Sequence, residues 1–153
     1  MVLLDTNVLV HAHAARSPFH AMARRVRDHA VAGTLNACVS PQVLCEFYAV
    51  CTNEKLMQPP LTPAQARHEV LAYWASPHLR KIVPSDSAVR QLLDLMAKHH
   101  VKGPDIFDTF LVATMLEHGV DTIYTQNTKD FTLYGKTVQV VNPFLSRTPV
   151  SPP

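Results

Sequence analysis

Four acidic side chains in this sequence occupy positions from which a fold can bring them to one place. They are Asp5, Glu46, Asp105 and Asp108. Asp5 directly follows an apolar run, and in open α/β sheets ligands bind at the carboxyl ends of the strands. Asp105 and Asp108 are three residues apart at a predicted helix start, so both project from one helix face. Four carboxylates crowded together cannot all stay ionised without a cation, because like charges raise each other's pKa.

The chemistry of such a cluster is that of a hard divalent cation. Ligand sets made only of oxygen atoms select Mg²⁺ or Mn²⁺ over zinc. An ion of this kind activates a water molecule and stabilises charge on a phosphoryl group during in-line attack. The sequence therefore points to attack on a phosphoryl group, and it leaves open whether one or two ions bind.

Each acid also has a simpler explanation that the residues alone do not exclude. For Asp5 the simpler explanation is that it caps the helix that follows it and has no further role. For Glu46 it is that a single glutamate on a helix is by default solvated. Asp105 and Asp108 can decorate a first helical turn, where the helix dipole favours anions. However, this helix continues through residues 110–113, which are too apolar for a surface helix. We therefore expect its leading acids to face a cleft.

A second polar segment, residues 125–131, also follows an apolar run. If that run is a strand, the polar side chains after it join the same sheet edge as Asp5. The competing interpretation is a turn with an Asx cap, and the sequence leaves both open.

Strand-like and helix-like patterns alternate along the chain. Apolar runs predict strands over residues 2–4, 35–39, 80–83, 122–125 and 138–141. Helical segments lie between them, and capping signals mark their starts at Ser40, Thr62 and Ser85. This alternation predicts an α/β fold, with a central parallel sheet of four to five strands flanked by helices on both faces. We expect one domain over residues 1–145 and a Pro/Ser-rich tail over residues 146–153.

Composition limits the class of protein. The 153 residues are 47% hydrophobic, which suits one domain with its own core and excludes disorder for most of the chain. The net charge of +2 is compatible with a nucleic-acid partner without arguing for one. No apolar stretch is long enough to span a membrane and no leader follows Met1, so we expect a soluble, cytoplasmic protein. The three cysteines follow no metal-ligand spacing, and we expect buried thiols.

The order and spacing of four segments resemble the PIN-domain nucleases, and within them the VapC-type toxins of bacterial toxin–antitoxin pairs. The segments are residues 3–9, 40–47, 105–113 and 119–131, and together they cover nearly the whole chain. The resemblance implies a single PIN-like domain and a Mg²⁺-dependent endoribonuclease that cleaves RNA, often transfer RNA, with Mn²⁺ able to replace Mg²⁺. It also implies a homodimer and a cognate VapB-type antitoxin.

The same resemblance implies a role for each of the four acids. Asp5 and Asp108 hold the metal directly. Glu46 orients or deprotonates the attacking water, and Asp105 completes the cage or positions a second ion.

Further site groups also follow from the resemblance. Thr6 and Asn7 orient the metal ligands through their hydroxyl and amide groups. Asp5, Glu46 and Asp108 match the first three acids of the family, and Asp105 matches an extra acid found in many members. The fourth family position is open, because many members have aspartate where this chain has Asn127. The other candidate for that position is Asp130, which lies three residues further along.

Two other functions are consistent with the same residues. A chain that lacks the fourth aspartate can be a catalytically silent PIN-fold module that binds RNA or protein. The same cage also suits a PIN nuclease that acts in RNA processing or on DNA, outside a toxin–antitoxin pair. The densest basic group can hold a phosphate backbone or be a solvated helix face. It consists of Arg16, Arg24, Arg25 and Arg27.

Overall fold

The computed structural model describes residues 1–145. The predicted tail, residues 146–153, lies outside the described residues. Within residues 1–145, five strands alternate with six α-helices and one 3₁₀-helix. None of the helices in this part of the chain is long and apolar enough to cross a bilayer.

The strands form one sheet in which every neighbouring pair is parallel. They are β1 (Val2–Leu4), β2 (Ala37–Val39), β3 (Arg80–Lys81), β4 (Thr122–Tyr124) and β5 (Gln139–Val141). Their order is β3-β2-β1-β4-β5, so the predicted parallel α/β fold is confirmed, with several strands shorter than predicted. All three residues of β1 are buried at the centre of the sheet, and this explains their uniformly apolar sequence.

Four of the six α-helices within residues 1–145 begin after a residue whose side chain caps them, and the two that begin at His20 and Asp105 have no side-chain cap. The six helices are α1 (Thr6–His13), α2 (His20–Val31), α3 (Pro41–Cys51), α4 (Pro63–Ala75), α5 (Asp86–His99) and α6 (Asp105–Glu117). Ser40 accepts from the N–H of Val43 at 3.2 Å, and Thr62 forms a capping box with Gln65. These bonds satisfy N–H groups that the first helical turn leaves free. The 3₁₀-helix Thr128–Tyr134 replaces the turn considered for this segment.

The helices separate into two groups on the two faces of the sheet. Helix α1 packs on α2 and α3, and α3 packs on α4, whereas α5 packs on α6. From β1 the chain moves outward through β2 to β3, and then crosses back to β4 on the other side of β1. Right-handed crossovers in opposite directions place their helices on opposite faces. The expectation of helices on both faces is therefore consistent with the strand order.

The direction of winding reverses between β1 and β4, which are neighbours in the sheet. At such a point the loops that leave the two strands diverge, and a crevice opens at their carboxyl ends. Asp5 follows β1, and its N–H donates to the carbonyl of Tyr124, the last residue of β4, at 3.0 Å. The fold thus places Asp5 and Thr125, the residues that follow these two strands, at the head of the same crevice.

The expectation of buried thiols is correct for two of the three cysteines. Cys38 on β2 and Cys51 on α3 are buried, and burial raises both thiol pKa values to about 12. Cys45 is exposed, so the prediction is wrong there. It lies on the outward side of α3, two residues before the buried Phe47, and an apolar residue type alone does not reveal that orientation.

Candidate active site

Asp5 lies at the carboxyl end of β1 and is only 8% exposed. The Thr6 N–H donates to its Oδ1 at 2.7 Å, while Asn7 Nδ2 and Thr125 Oγ1 each donate to its Oδ2 at 2.6 Å. The carboxylate therefore caps α1 and also lines the crevice. Burial raises the pKa of Asp5, and the hydrogen bonds from Thr125 and Thr6 oppose that rise.

The hydroxyl of Thr125 connects the loop after β4 to the start of α1. It donates to Asp5 and accepts from Asn7 Nδ2 and from the N–H of Asn127, both at 2.9 Å. The side-chain oxygen of Asn7, Oδ1, in turn accepts a hydrogen bond from the backbone N–H of Gln126 at 2.9 Å. These contacts connect the loop after β4 to the start of α1 at the floor of the crevice, and they include a hydrogen bond from Asn7 to Asp5.

Glu46 projects from α3 towards the same crevice, and both of its carboxylate oxygens accept hydrogen bonds. Thr6 Oγ1 donates to Oε2 at 2.9 Å, and Gln42 Nε2 donates to Oε1 at 3.0 Å. Thr6 therefore links Glu46 to Asp5, because its backbone N–H binds one acid and its hydroxyl binds the other. A glutamate held at both oxygens is not the freely solvated side chain that its position alone suggested.

Asp108 faces Asp5 from the first turn of α6. Partial burial raises its pKa to about 6, and the neighbouring carboxylates add to the rise in the order Asp130, Asp5, Glu46 and Asp105. Asp108 is thus the side chain on which the repulsion within the acidic group is concentrated. A carboxylate in this position is ionised at neutral pH only against that repulsion.

Two adjoining hollows form the crevice. The first, of about 270 Å³, holds Asp5 and Glu46 together with Thr6, Asn7, His11, Asn127, Asp108 and Asp130. The second, of about 420 Å³, is lined by Asp105, Lys129 and Tyr134, and it shares Asp108 and Asp130 with the first. Asp105 therefore lies beyond Asp108 as seen from Asp5, which agrees with its having the smallest of the four carboxylate effects on the Asp108 pKa.

The donor set suits a hard cation in its chemistry. Carboxylate and amide oxygens line the first hollow, and such oxygens are what Mg²⁺ and Mn²⁺ prefer. A cation would also relieve the repulsion that raises the Asp108 pKa. Among residues 1–145, however, no three acidic, histidine or cysteine side chains converge closely enough to hold an ion. The residues therefore fit such an ion by type, and ligation requires the side chains to move closer together.

Most of the candidate residues from the sequence meet in the first hollow. Asp105 is the exception, since it lines only the second. Gln42 and His11 were missed, although Gln42 is one helical turn before Glu46 and that spacing places the two side chains together. His11 Nε2 lies 2.6 Å from Gln126 Oε1 and its Nδ1 lies 2.9 Å from Ser17 Oγ, contacts that the sequence gives no means to foresee.

The basic group of the sequence is only partly available to a ligand. Arg24 and Arg25 are exposed on α2. Arg27 is half-buried, bonds Asp28 at 2.6 Å and also contacts Tyr73. Arg27 therefore serves the packing of α2 against α4.

Comparison with protein families agrees with this fold and geometry. The model of the PIN domain matches residues 2–136. The chain therefore belongs to the PIN-domain family.

Among curated relatives, Ribonuclease VapC48 of Mycobacterium tuberculosis is 28% identical over 92% of this chain and 95% of its own. Ribonuclease VapC43 of the same organism is 30% identical over 77% of this chain and 80% of its own. The protein is thus a PIN-domain protein whose relatives are VapC ribonucleases.

Solved structures share the fold at low sequence identity. VapC20 from M. tuberculosis, described as a Sarcin-Ricin loop cleaving toxin, matches with a TM-score of 0.64 and 17% identity, covering 85% of this chain and 92% of that one. A toxin–antitoxin complex from Klebsiella pneumoniae matches with a TM-score of 0.62 and 19% identity, covering 94% and 98%. At these identities the likeness establishes the fold.

Replacing Thr125 by valine should destabilise the protein. The substitution keeps the side-chain shape but leaves Asp5 Oδ2, Asn7 and the Asn127 N–H each short of a partner. We expect the free energy of unfolding, measured by urea denaturation, to fall by about 1–3 kcal/mol. The matched control is Thr132→Val, which removes an exposed hydroxyl that donates only to the Lys129 carbonyl. An equal loss in both variants would contradict the role assigned to Thr125.

The raised pKa of Asp108 predicts a specific pH dependence of stability. Its value rises from 3.8 to about 6 in the folded protein, so its stabilising contribution is present below pH 3.8 and is lost as the pH rises through 6. Without divalent ions, the wild type should therefore lose stability relative to Asp108→Asn between about pH 4 and about pH 6, the interval between these two pKa values. Urea denaturation at several pH values measures this difference, and the exposed control Asp94→Asn should leave the wild-type profile unchanged.

Proposed function

We propose that this protein is a divalent-metal-dependent endoribonuclease and the toxin of a toxin–antitoxin pair. The observation that carries the proposal is the convergence of Asp5, Glu46 and Asp108 on one hollow at the switch point of the sheet. The relatives VapC48 and VapC43 are named ribonucleases, and the structural neighbour VapC20 is described as a Sarcin-Ricin loop cleaving toxin. These names support RNA as the substrate class.

Asp5 and Asp108 are the residues that would hold Mg²⁺, or Mn²⁺ in its place. When bound, such an ion supplies an activated water and stabilises charge on the phosphoryl group. Glu46 accepts the proton of the attacking water at a carboxylate that Thr6 and Gln42 hold in place. The hydrogen bonds of buried Asp5 fix the direction of its carboxylate and oppose the rise of its pKa on burial.

For the fourth acidic group of the site, we propose Asp130. Asp130 and Asn127 both line the first hollow. Of the four carboxylates that raise the pKa of Asp108, Asp130 has the largest effect. Its charge therefore acts on Asp108 more strongly than the charges of Asp5, Glu46 and Asp105. Asn127 then contributes an uncharged amide oxygen. This assignment keeps the site fully acidic and removes the main reason for a catalytically silent module.

A VapB-type antitoxin is the proposed protein partner, and a homodimer is the proposed assembly. The matching structure from Klebsiella pneumoniae is a toxin–antitoxin complex, and the match covers 94% of this chain and 98% of that one. This supports an antitoxin as the partner. The homodimer rests on the family resemblance, as does transfer RNA as one candidate target.

Removing either proposed metal ligand should abolish cleavage without unfolding the protein. Asp5→Asn and Asp108→Asn keep the side-chain shape and remove a charge, so we expect RNA cleavage in Mg²⁺ or Mn²⁺ to fall at least about 100-fold. Cleavage is measured on gels with total and structured RNA, with EDTA as the metal-free arm. Asp94→Asn, at an exposed position of α5, is the matched control and should cut like the wild type.

The outcomes of this experiment separate the candidate functions. If the wild type binds RNA but does not cut it with any divalent ion, the enzyme proposal is wrong and a silent binding module takes its place. If it cuts DNA in preference to RNA, the substrate class is wrong.

Lys129 is the cation that lines the second hollow, so it is placed to meet an RNA phosphate next to the acids. Lys129→Met should weaken RNA binding in EDTA and reduce the slope of log affinity against log salt by about 0.7–1. Fluorescence anisotropy at several salt concentrations measures both quantities. Lys136→Met, which removes an exposed charge just after the 3₁₀-helix, is the control and should leave the slope unchanged. Equal slopes for the two variants would remove Lys129 from the RNA path.

A further inference from the structure

We propose that Gln42 is a positioning residue that sets the place of the Glu46 carboxylate relative to the first turn of α6. The inference rests on the proposed function, because it concerns the reaction in which Glu46 takes part. The observation that supports it is separate, and it is the hydrogen bonding of the Gln42 side chain.

The Gln42 amide bridges two elements that approach the crevice from opposite sides. Its Nε2 donates to Glu46 Oε1 at 3.0 Å and to the backbone carbonyl of Phe107 at 3.0 Å. Gln42 and Glu46 are four residues apart on α3, so their side chains lie on the same face of that helix. Phe107 immediately precedes Asp108 on α6. One amide nitrogen thus connects the proposed general base to the turn that carries a proposed metal ligand.

The orientation of this amide follows from its surroundings. Both neighbours of Nε2, the Glu46 carboxylate and the Phe107 carbonyl, are acceptors. Reversing the amide would turn its oxygen towards these two acceptors and leave both without their donor, so only the observed orientation is favourable. The two N–H groups of the amide match the two acceptors one to one.

The Gln42 side chain forms hydrogen bonds through its amide nitrogen, whereas its amide oxygen lacks a partner. Its Oε1 is buried and has no hydrogen-bond partner among residues 1–145. A buried polar atom without a partner is costly, and an apolar side chain of the same length would avoid that cost. The hydrogen bonds of Gln42 are therefore the two donor contacts to Glu46 and the Phe107 carbonyl, which identifies holding these groups as its role.

Glu46 is restrained from two directions as a result. Thr6 donates to Oε2 from the start of α1 and Gln42 donates to Oε1 from its own helix. Thr6 alone would fix one oxygen and let the carboxylate rotate about it. With both donors the plane of the carboxylate is set, which matters for a group that must meet a water at one defined place.

The test is a kinetic comparison of variants at this position. Gln42→Met keeps the length of the side chain and removes both N–H donors. We expect kcat for RNA cleavage to fall about 10- to 100-fold, with KM within about twofold, because misplacement of a catalytic group by a fraction of its reach affects the chemical step. Gln139→Met, at an exposed position on β5, is the control and should behave like the wild type.

Two further measurements separate positioning from general support of the fold. The thermal midpoint of Gln42→Met should lie close to that of the wild type, because the variant removes an unpartnered buried oxygen as well as two hydrogen bonds. In a Glu46→Gln background the Gln42→Met change should alter kcat by less than about twofold, because the carboxylate to be positioned is absent. An undiminished kcat in Gln42→Met, or an equal loss of kcat in the Glu46→Gln background, would overturn the proposal.

Failure of the proposed function gives a different pattern. In that case the wild type itself does not cut RNA, and kinetics decide nothing about Gln42. Crystal structures of the wild type and Gln42→Met then decide it: the Glu46 carboxylate should change orientation in the variant, and an unchanged Glu46 side chain refutes the positioning role.

Discussion

The burial of one carboxylate, that of Asp5, is the constraint on which the rest of the site depends. A buried acid stays ionised only if donors replace the water it has lost, and here the donors come from α1 and from the loop after β4. The parallel pairing of β1 with β4 places these groups within reach. The sheet order, the cap of α1 and the position of Thr125 are therefore parts of one arrangement that holds this buried carboxylate in place at the switch point.

The acidic side chains around Asp5 repel one another, and this repulsion acts most clearly on Asp108. The pKa of Asp108 rises to about 6 because burial and four other carboxylates act on it together. Asp5 is held by three donors, whereas the main effects on the Asp108 pKa are burial and the repulsion of the four other carboxylates. A site of this kind is less stable empty than it would be with neutral residues, which is the usual relation between active-site charge and fold stability. A bound divalent ion, as proposed for this site, would offset that repulsion.

Much of the fold follows from local patterns, because strand burial and helix capping are local properties. The five apolar runs and the caps at Ser40 and Thr62 predict the observed elements to within a few residues. For Asp5, capping and a place in the crevice were alternatives in the sequence, yet its two oxygens allow both. Asp105 shows the limit: helical periodicity puts it on the face of Asp108, but only the packing of α6 against the 3₁₀-helix decides that it lines a separate hollow.

Gln42 shows why such sites are hard to derive from one sequence. Its spacing to Glu46 is visible along the chain, but the Phe107 carbonyl is sixty-five residues away and is brought close only by the fold. An amide has two donors and one acceptor, and this site uses the donors and leaves the acceptor buried without a partner. The cost of that oxygen and the orientation of Glu46 are consequences of the same geometry. An apolar residue at this position would remove the unpartnered oxygen, but it would also release the Glu46 carboxylate and the Phe107 carbonyl, so the two effects cannot be separated at Gln42.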